Sequence, residues 1–310
     1  MSRQALMALT SNHKKKYMSK EFKIVVLAKQ VPDTRNVGKD AMTPEGTVNR
    51  AALPAIFNPE DMNALEQALR IKDKFPGSKV LILTMGPFRA AEIIREGYFR
   101  GADGGVLLTD RRFAGADTLA TSFAISQAVK KMNPDIIVSG RQAIDGDTAQ
   151  VGPQVAEKMN IPQITYAEEI TDLSDNRITV RRRLERGVEV VSSTLPCLIT
   201  VHATAAPCRP RNAKYVLKYK YSRTIHEEQD AANAGKYLLS ADEKPYLKIQ
   251  EWTVDDVGGD ENCYGFAGSP TKVKKIENIV FKAKEAKKLT GSDADVDSLI
   301  SELMANHEIG

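Results

Sequence analysis

The sequence predicts an α/β fold in which a mainly parallel sheet carries helices on both faces. Apolar runs of strand length alternate with amphipathic stretches from residue 23 to about residue 165, which is the pattern of strands joined by crossover helices. These runs are apolar throughout, as in strands buried on both faces. With 42% hydrophobic and 27% charged residues among 310, the composition supports a sizeable core and excludes a disordered chain, a collagen or a coiled coil.

The first elements lie between residues 23 and 110. The run 23–28 predicts the opening strand, and a long loop containing Pro and Gly leads to a helix over 58–74. Asn58 is a good N-cap for that helix, and Pro59 suits its first position because it has no amide hydrogen to leave unpaired. Three more elements follow: a strand over 80–86, a helix over 88–103 with Gly101 as C-cap, and a strand over 105–110.

The alternation ends near residue 160. Its last elements are a helix over 118–132 capped by Asp117 or Thr118, a strand over 135–140, and a helix over 147–159. Residues 163–205 lose the helical period and predict antiparallel strands that turn near Arg186 and Gly187. The last hundred residues are polar and irregular, with a charged helix after residue 273. They predict an arm that folds onto a partner, with a poorly ordered tail as the alternative.

The net charge of +4 comes from the N-terminal tail. Residues 1–20 hold five basic residues and no acidic one, so residues 21–310 carry a net charge of −1. A folded part without a basic surplus argues against nucleic-acid binding. The apolar run of the tail is too short for a signal peptide or a membrane span, and an organelle transit peptide stays open. Because Met18 stands just before the first strand, we interpret residues 1–21 as a dispensable extension.

Residues that usually carry catalysis or bind metals are few and scattered. Cys197, Cys208 and Cys263 form no C-x-x-C pair, which argues against a disulfide scaffold and a zinc site and favours a reducing compartment. None of the four histidines follows a strand of the predicted sheet, and the hydrolase, metalloprotease and EF-hand motifs are absent. The sequence therefore predicts no catalytic and no metal-binding residue, and a bound cofactor would supply any redox chemistry.

Two loops that follow strands are candidate binding sites, because ligands of open parallel sheets bind beyond the carboxyl ends of the strands. In residues 139–154, Gly140 permits close approach, and the free amides of the next helix could hold a phosphate. Gly146, Asp147 and Thr148 lead into this helix, and the free amides are those of Ala149, Gln150 and Val151. The loop matches neither standard phosphate fingerprint, so a plain strand-to-helix turn is an equal alternative. In the second loop Asp117, Thr118 and Thr121 open a helix, although capping explains the first two.

Six segments share the order and spacing of one known family. They are KIVVLAKQVPDT, FNPEDMNALEQALRIKD, ILTMGP, REGYFRGAD, SGRQAIDGDTAQVGPQVAEKMNIPQ and GSPTKV, from about residue 22 to residue 275. Together they resemble the beta subunit of electron transfer flavoproteins, and the pattern G-x-Q-A-I-D-x-D is the most specific. The resemblance implies a Rossmann-like sheet of the adenine nucleotide alpha hydrolase-like kind, additional antiparallel strands, and a long C-terminal arm that embraces an alpha subunit.

The resemblance also implies a pocket for an adenine nucleotide. Leu27 and Ala28 after the first strand, Asn58 and Asp61 at the first helix, and Met85 after the second strand would wall the adenine and ribose. The segment after the fourth strand would wrap the ribose and phosphate with Gly140, Arg141, Gln142, Ala143, Ile144, Asp145, Gly146, Asp147, Thr148, Ala149, Gln150 and Val151.

The segment TDRRFAGADTLATS, which contains Asp117, Thr118 and Thr121, resembles the electron-bifurcating group of the family and favours FAD as the cofactor. AMP, as the structural ligand of a simple carrier, is the alternative. In the bifurcating group NADH would reduce the beta-subunit flavin. One electron would pass through the alpha-subunit flavin to an acyl-CoA-dehydrogenase-type or lactate-dehydrogenase-type partner, and the other to ferredoxin or an iron–sulfur domain. Arg141 would tune the flavin or contact the ribose or phosphate.

A partner-docking surface is implied by the segment that begins at Pro210. An apolar anchor with a basic rim suits a specific and salt-sensitive contact with a dehydrogenase. The docking residues carried over are Arg211, Lys214, Tyr215, Val216, Leu217 and Lys218.

We therefore expect three parts: the extension 1–21, a nucleotide- or FAD-binding α/β domain over 22–209, and a partner-recognition loop with the C-terminal arm over 210–310. A stand-alone nucleotide-binding module on the same sheet is the alternative of another class. The expected location is the cytoplasm, with the mitochondrial matrix less favoured, and no transmembrane segment is expected.

Overall fold

The computed structural model describes residues 20–33, 54–233, 235–237, 243–271 and 288–309. Residues 1–19 of the predicted N-terminal extension and residues 272–287, where the predicted charged helix begins, lie outside these ranges. The chain divides into two compact units, Met1–Lys272 and Val273–Gly310. The strands and helices below lie in the first unit, apart from one helix near the C-terminus.

Within the described residues, nine strands form one sheet. They are β1 (Lys23–Leu27), β4 (Lys79–Met85), β5 (Gly104–Leu108), β6 (Ile136–Gly140), β7 (Gln163–Leu173), β8 (Arg177–Leu184), β9 (Gly187–Thr194), β10 (Cys197–Val201) and β11 (Gln250–Trp252). Their order is β11-β5-β4-β1-β6-β10-β7-β8-β9, and β2 (Gln30–Pro32) pairs with β3 (Ala55–Phe57) in a separate antiparallel ladder. The predicted α/β fold with a mainly parallel sheet is confirmed.

Helices cover both faces of the parallel part of the sheet. They are α1 (Pro59–Lys74), α2 (Ala91–Arg100), α3 (Thr118–Met132), α4 (Val151–Met159), α5 (Ala213–Tyr219), α6 (Ile225–Gln229) and α7 (Val254–Val257). In β1, Ile24 and Val26 belong to the apolar core shared with α1 and α2, whereas Val25 and Leu27 belong to the core shared with α3 and α4. Because successive residues of a strand point to opposite faces, a strand covered on both sides is apolar throughout.

The order in which successive strands are added to the sheet reverses between β1 and β6. The crossovers through α1 and α2 step from β1 to β4 and then to β5, whereas the crossover through α3 returns to β6 on the other side of β1. Both neighbours pair with β1 in parallel. In open sheets the carboxyl ends of two such strands border the ligand crevice, since the helices diverge there. The segments that follow β1 and β6 therefore lie side by side at this point of the fold.

The structure corrects the predicted antiparallel character of residues 163–205. β7, β8 and β9 are antiparallel, with the turn between Leu184 and Gly187 where it is predicted. β10, however, lies between β6 and β7 and is parallel to both. The β8–β9 hairpin thus takes the place of a crossover helix. The five residues of β10 are all buried, which is typical of a central parallel strand.

The start of the helix predicted over 147–159 is also wrong. The helix α4 begins at Val151, because Asp147 (φ 49°) and Ala149 (φ 54°) have left-handed backbones that a right-handed helix cannot include. Two predicted caps are confirmed: Asp117 caps α3 by accepting hydrogen bonds from two amides, and Gly101 ends α2 with φ 121°. The predicted cap Asn58 is not, since its side chain makes no capping hydrogen bond.

Part of the predicted C-terminal arm packs onto the chain itself. The strand β11 pairs in parallel with β5 at the sheet edge. Tyr264 is buried, with its ring 5.5 Å from that of Phe113 and 5.0 Å from that of Phe123. Trp252 lies in β11, where the Lys131 ammonium sits 4.5 Å from its ring centre. Contact of the arm with another subunit stays a prediction.

The second unit contributes helix α8 (Asp293–Ala305), which begins after Ser292, whose hydroxyl accepts a hydrogen bond from the Asp295 amide. Across the described ranges, no helix combines the length and apolar character that crossing a membrane requires.

Candidate functional site

Asn58 organises the loop after β6 from the start of α1. It is fully buried and stands at the N-cap position, but its side chain does not cap the helix. Its Nδ2 donates to the carbonyl oxygen of Gln142 at 2.9 Å, and its Oδ1 accepts from the amide of Ile144 at 3.2 Å. A residue predicted as a cap thus holds a loop more than eighty positions away in the sequence.

Glu60, one residue into the same helix, binds the next part of that loop. Its carboxylate accepts from the Arg141 guanidinium at 3.0 Å and from the Gln142 amide at 3.0 Å. The Arg141 guanidinium also lies 5.8 Å from the ring centre of Tyr166. The cation predicted to lie near the ligand is therefore paired with a buried carboxylate.

Asp61 joins the carboxyl ends of β1 and β6. Its Oδ2 accepts from the Lys29 amide at 2.9 Å, and its Oδ1 accepts from the Gly140 amide at 2.8 Å. Burial raises the pKa of Asp61 to about 7, against the lowering effect of these hydrogen bonds. A Cβ atom on Gly140 would lie 2.5 Å from Asp61 Oδ1, so this contact requires glycine.

The rest of the loop is held by its own side chains and by Lys29. The Ala143 carbonyl accepts from the amides of Gly146 and Asp147, and the Asp147 carboxylate accepts from Gln142 Nε2 at 2.9 Å. The Lys29 ammonium binds the Asp145 carboxylate at 2.8 Å. Gly146, Asp147, Thr148 and Gln150 are exposed, whereas Ile144, Ala149 and Val151 are half-buried.

The two candidate loops meet at the N-termini of α3 and α4. The Thr118 hydroxyl donates to Gln150 Oε1 at 2.9 Å, and one turn later the Ser122 hydroxyl donates to Gln154 Oε1 at 2.9 Å. Asp117 is engaged as the cap of α3 and also accepts from the Thr271 hydroxyl at 2.7 Å. Although partial burial acts to raise it, these hydrogen bonds lower the pKa of Asp117.

The floor of the crevice is formed by the strand ends. Leu27 and Ala28 are buried, and Met85 is half-buried at the end of β4. Ser139, which pairs with Leu27 across the sheet, is 6% exposed, and its hydroxyl has no hydrogen-bond partner among the described residues. It adjoins α4, since a Cβ on Gly152 would lie 2.9 Å from Ser139 Oγ. Sequence reasoning missed Ser139, although a polar residue near the end of an apolar strand was a usable signal.

A second hollow lies beyond the ends of β4 and β5. It has a volume of about 450 Å³ and is lined by Met85, Gly86, Pro87, Phe88, Thr109, Asp110, Arg111, Phe113 and Ala114. We call it the aromatic cleft, after Phe88 and Phe113. Met85, at the end of β4, lines the cleft, and β4 is the strand next to β1. Sequence reasoning missed Phe88, because nothing in its neighbourhood distinguishes it from a helix residue.

The predicted docking segment contains one strongly exposed anchor. The helix α5, which we call the docking helix, begins after Asn212, whose side chain accepts from the Lys214 amide. Leu217 is 70% exposed, whereas Tyr215 and Val216 are half-buried against the core. Lys218 lies over the rings of Tyr219 and Tyr246 at 4.7 and 5.3 Å, and the Arg211 guanidinium pairs with Glu96.

Metal and thiol chemistry find no support in the described ranges. No group of three potential metal ligands occurs there. Burial raises the pKa of Cys197 to about 12 and that of Cys208 to about 11, so both are weak nucleophiles near neutral pH.

Comparisons with known proteins agree with this geometry. Residues 45–220 match the family described as Electron transfer flavoprotein domain. The chain is 39% identical over 282 residues to the electron transfer flavoprotein subunit beta of Clostridium acetobutylicum, covering 91% of this chain and 95% of that protein. It is 39% identical over 290 residues to the Caffeyl-CoA reductase-Etf complex subunit CarD of Acetobacterium woodii (93% and 100%). It is 41% identical over 297 residues to the acryloyl-CoA reductase electron transfer subunit gamma of Anaerotignum propionicum (93% and 100%).

Proposed function

Because the chain belongs to the electron transfer flavoprotein beta-subunit family, we propose that it binds FAD in the crevice between β1 and β6 and serves as an electron-transfer subunit. FAD, when bound, accepts a hydride and releases its two electrons singly. The residues of this chain bind and orient the cofactor and exclude water. We assign no catalytic residue, so oxidoreductase activity belongs to the assembled flavoprotein complex.

The buried hydroxyl of Ser139 is the observation that carries the proposal. A buried hydroxyl without a partner costs about 1–3 kcal/mol, and a ribose or phosphate oxygen in the crevice would satisfy it. Glycine at positions 140 and 152 lets the Asp61 carboxylate and the Ser139 hydroxyl lie against the backbone, because a Cβ would come within 2.5 and 2.9 Å of these oxygens. The N-terminus of α4, with the amides of Val151 and Gly152, favours a negative charge there. The residues present therefore fit a nucleotide.

The aromatic cleft favours FAD over AMP. An adenylate beside Leu27 and Met85 would leave the cleft empty, whereas a longer cofactor or its hydride donor can extend into it past Met85. Phe88 and Phe113 offer apolar walls to a planar ring, and such walls exclude water from a reduced flavin. NADH is the proposed donor. AMP as a structural ligand remains the alternative for a simple carrier.

Arg141 is proposed to orient the cofactor rather than to act as an isolated charge. Its guanidinium is bound to Glu60, which partly neutralises its field. The pair shapes the loop through the Gln142 amide, which donates to the same carboxylate. Any effect of Arg141 on the flavin potential would then be smaller than that of an unpaired cation.

The proposed partners follow from the family and from the names of the relatives. An alpha subunit would complete the flavoprotein, and an acyl-CoA-dehydrogenase-type or lactate-dehydrogenase-type flavoenzyme would dock at Leu217. The words caffeyl-CoA reductase and acryloyl-CoA reductase in two relatives' names favour the acyl-CoA type. Ferredoxin is proposed as the second acceptor, and the cytoplasm as the location.

Cofactor stoichiometry tests the proposal. The chain is purified together with its alpha subunit, the cofactors are released by heat or acid, and FAD and AMP are separated by chromatography. Two FAD and little AMP per heterodimer are expected. One FAD with one AMP would reduce the chain to the subunit of a simple carrier, and no adenine nucleotide beyond that of the alpha subunit would overturn the proposal.

A further inference from the structure

Phe88 is a wall of the aromatic cleft and also part of a stacked pair. It opens the short 3₁₀ helix Phe88–Ala90 between β4 and α2, and its side chain is 41% exposed. The imidazole of His226 stacks on its ring, with 3.6 Å between the ring centres and 11° between the planes. An exposed phenylalanine would otherwise exchange rotamers freely, so the stacked imidazole restricts the rotamers of the Phe88 side chain.

His226 is exposed, and contacts of its chain neighbours hold its backbone against α2. It lies in the short helix α6, where Thr224 and Glu227 form a capping box. The Glu227 carboxylate binds the Arg95 guanidinium through both oxygens, each at 2.9 Å, and Arg95 also donates to the Ser222 carbonyl at 3.1 Å. Although burial acts to lower it, Glu227 raises the pKa of Arg95.

The same surface of α2 holds the docking helix. Tyr219, its last residue, is buried, with its ring 5.0 Å from that of Tyr98 in α2. Five residues connect Tyr219 to α6, and Ser222 and Thr224 among them are buried. The docking helix, the connection and α6 therefore rest on α2 as one layer.

We propose that His226 is a positioning residue that sets the aromatic wall at Phe88 and couples it to the docking helix. This inference rests on the proposed function, which gives the cleft its ligand and the helix its partner. A displacement of the docking helix on partner binding would reach His226 through the connection and through the Arg95–Glu227 pair. Because coupling is reciprocal, a ligand held against Phe88 would favour one placement of the docking helix. His226 would thus link the aromatic cleft with the docking helix.

Hydrogen exchange tests the link without any ligand. The reporter is the segment 86–90, in which the Ala90 amide donates to the Pro87 carbonyl at 2.8 Å. In the heterodimer, His226→Ala and Glu227→Gln should each accelerate exchange of this segment, and His226→Phe should restore the wild-type rate because it keeps a stacked ring. His307→Ala, which changes an exposed histidine in the second unit, is the control. Unchanged exchange in His226→Ala overturns the positioning role, and unchanged exchange in Glu227→Gln overturns the coupling.

NADH binding to the FAD-loaded heterodimer gives the second readout. His226→Ala should weaken NADH binding about two- to tenfold, the range expected for one aromatic pair, while FAD content stays at the wild-type value. His226→Phe should recover most of the affinity. Equal affinities in wild type and His226→Ala overturn the inference and leave the proposed function intact. If the wild-type heterodimer does not bind NADH, the donor assignment fails, and the exchange measurement then decides the role of His226.

Discussion

Replacing Asn58 with alanine should release the loop after β6. The side chain makes two hydrogen bonds to backbone groups of that loop, at 2.9 and 3.2 Å, and is fully buried. Its removal leaves the Gln142 carbonyl and the Ile144 amide without these partners. At about 1–2 kcal/mol for each group, the expected loss of stability is about 2–4 kcal/mol. Because the loop would wrap the nucleotide, cofactor retention should fall together with stability.

Asn63→Ala is a matched control in the same helix. The Asn63 amide also donates to two carbonyls, those of Ala203 and Ala205 at 3.2 and 3.1 Å, but it does not touch the loop. This variant should lose about 1–2 kcal/mol, since one of its two bonds is exposed to solvent, and should keep its nucleotide.

The assay combines thermal unfolding of the co-purified heterodimer with released FAD and AMP per heterodimer. The expected order of melting temperatures is wild type, Asn63→Ala, Asn58→Ala, and loss of nucleotide should be confined to Asn58→Ala. Wild-type nucleotide content in Asn58→Ala, with a melting temperature equal to that of Asn63→Ala, would refute the role of Asn58 as the organiser of the loop.

Three further predictions concern single side chains. The pKa of Asp61 is raised to about 7 in the folded state, above the value of ~3.9 in an unfolded chain. The contribution of the protonated Asp61 side chain to the free energy of unfolding is therefore fully present below the unfolded-state pKa, and it is lost as pH rises through the folded-state pKa. The melting temperature of wild type should therefore fall from pH 5 to pH 8 more steeply than that of Asp61→Asn; parallel profiles would contradict this. Leu217→Ala should slow electron transfer to the dehydrogenase about tenfold, as expected when an exposed anchor is lost, while Val216→Ala, at a half-buried site, should act mainly on stability. Equal transfer rates in wild type and Leu217→Ala would reject this anchor. Ser139→Ala should stabilise the nucleotide-free heterodimer by about 1 kcal/mol and weaken nucleotide retention, measured by unfolding and by dialysis. Unchanged retention would show that the hydroxyl does not reach the ligand.

The helices and strands of the α/β part could be predicted because their signals are local. The run around Ile24 and Val26 shows burial on both faces, and Asp117 and Gly101 mark helix ends by chemistry that acts within a few residues. β10 could not be predicted as parallel, because its neighbours are chosen by the sheet and a hairpin replaces the usual crossover helix.

The position of the candidate site in the fold could be predicted from the sequence, but the contacts among its side chains could not. The loops after β1 and β6 follow from the rule for parallel sheets, and the structure brings them together with the start of α3. The sequence did not show that the side chains of Asn58 and Asp61 bind the backbone of the protein. Only the structure distinguishes the candidate docking anchor among its neighbours, because Leu217 is exposed whereas Tyr215 packs against the core.

The sequence by itself determined the alternation of strands and helices, the family, and the end of the parallel strands at which the candidate site lies. These properties depend on residue type and on spacing within one element, and such spacing survives without coordinates. Only the tertiary structure decided that Asn58 and Glu60 clamp a loop eighty residues away, that Ser139 lacks a partner, and that His226 stacks on Phe88. Each of these contacts joins elements that are distant in the chain, and their distances are set by how the sheet orders its strands and by which helix faces pack upon it.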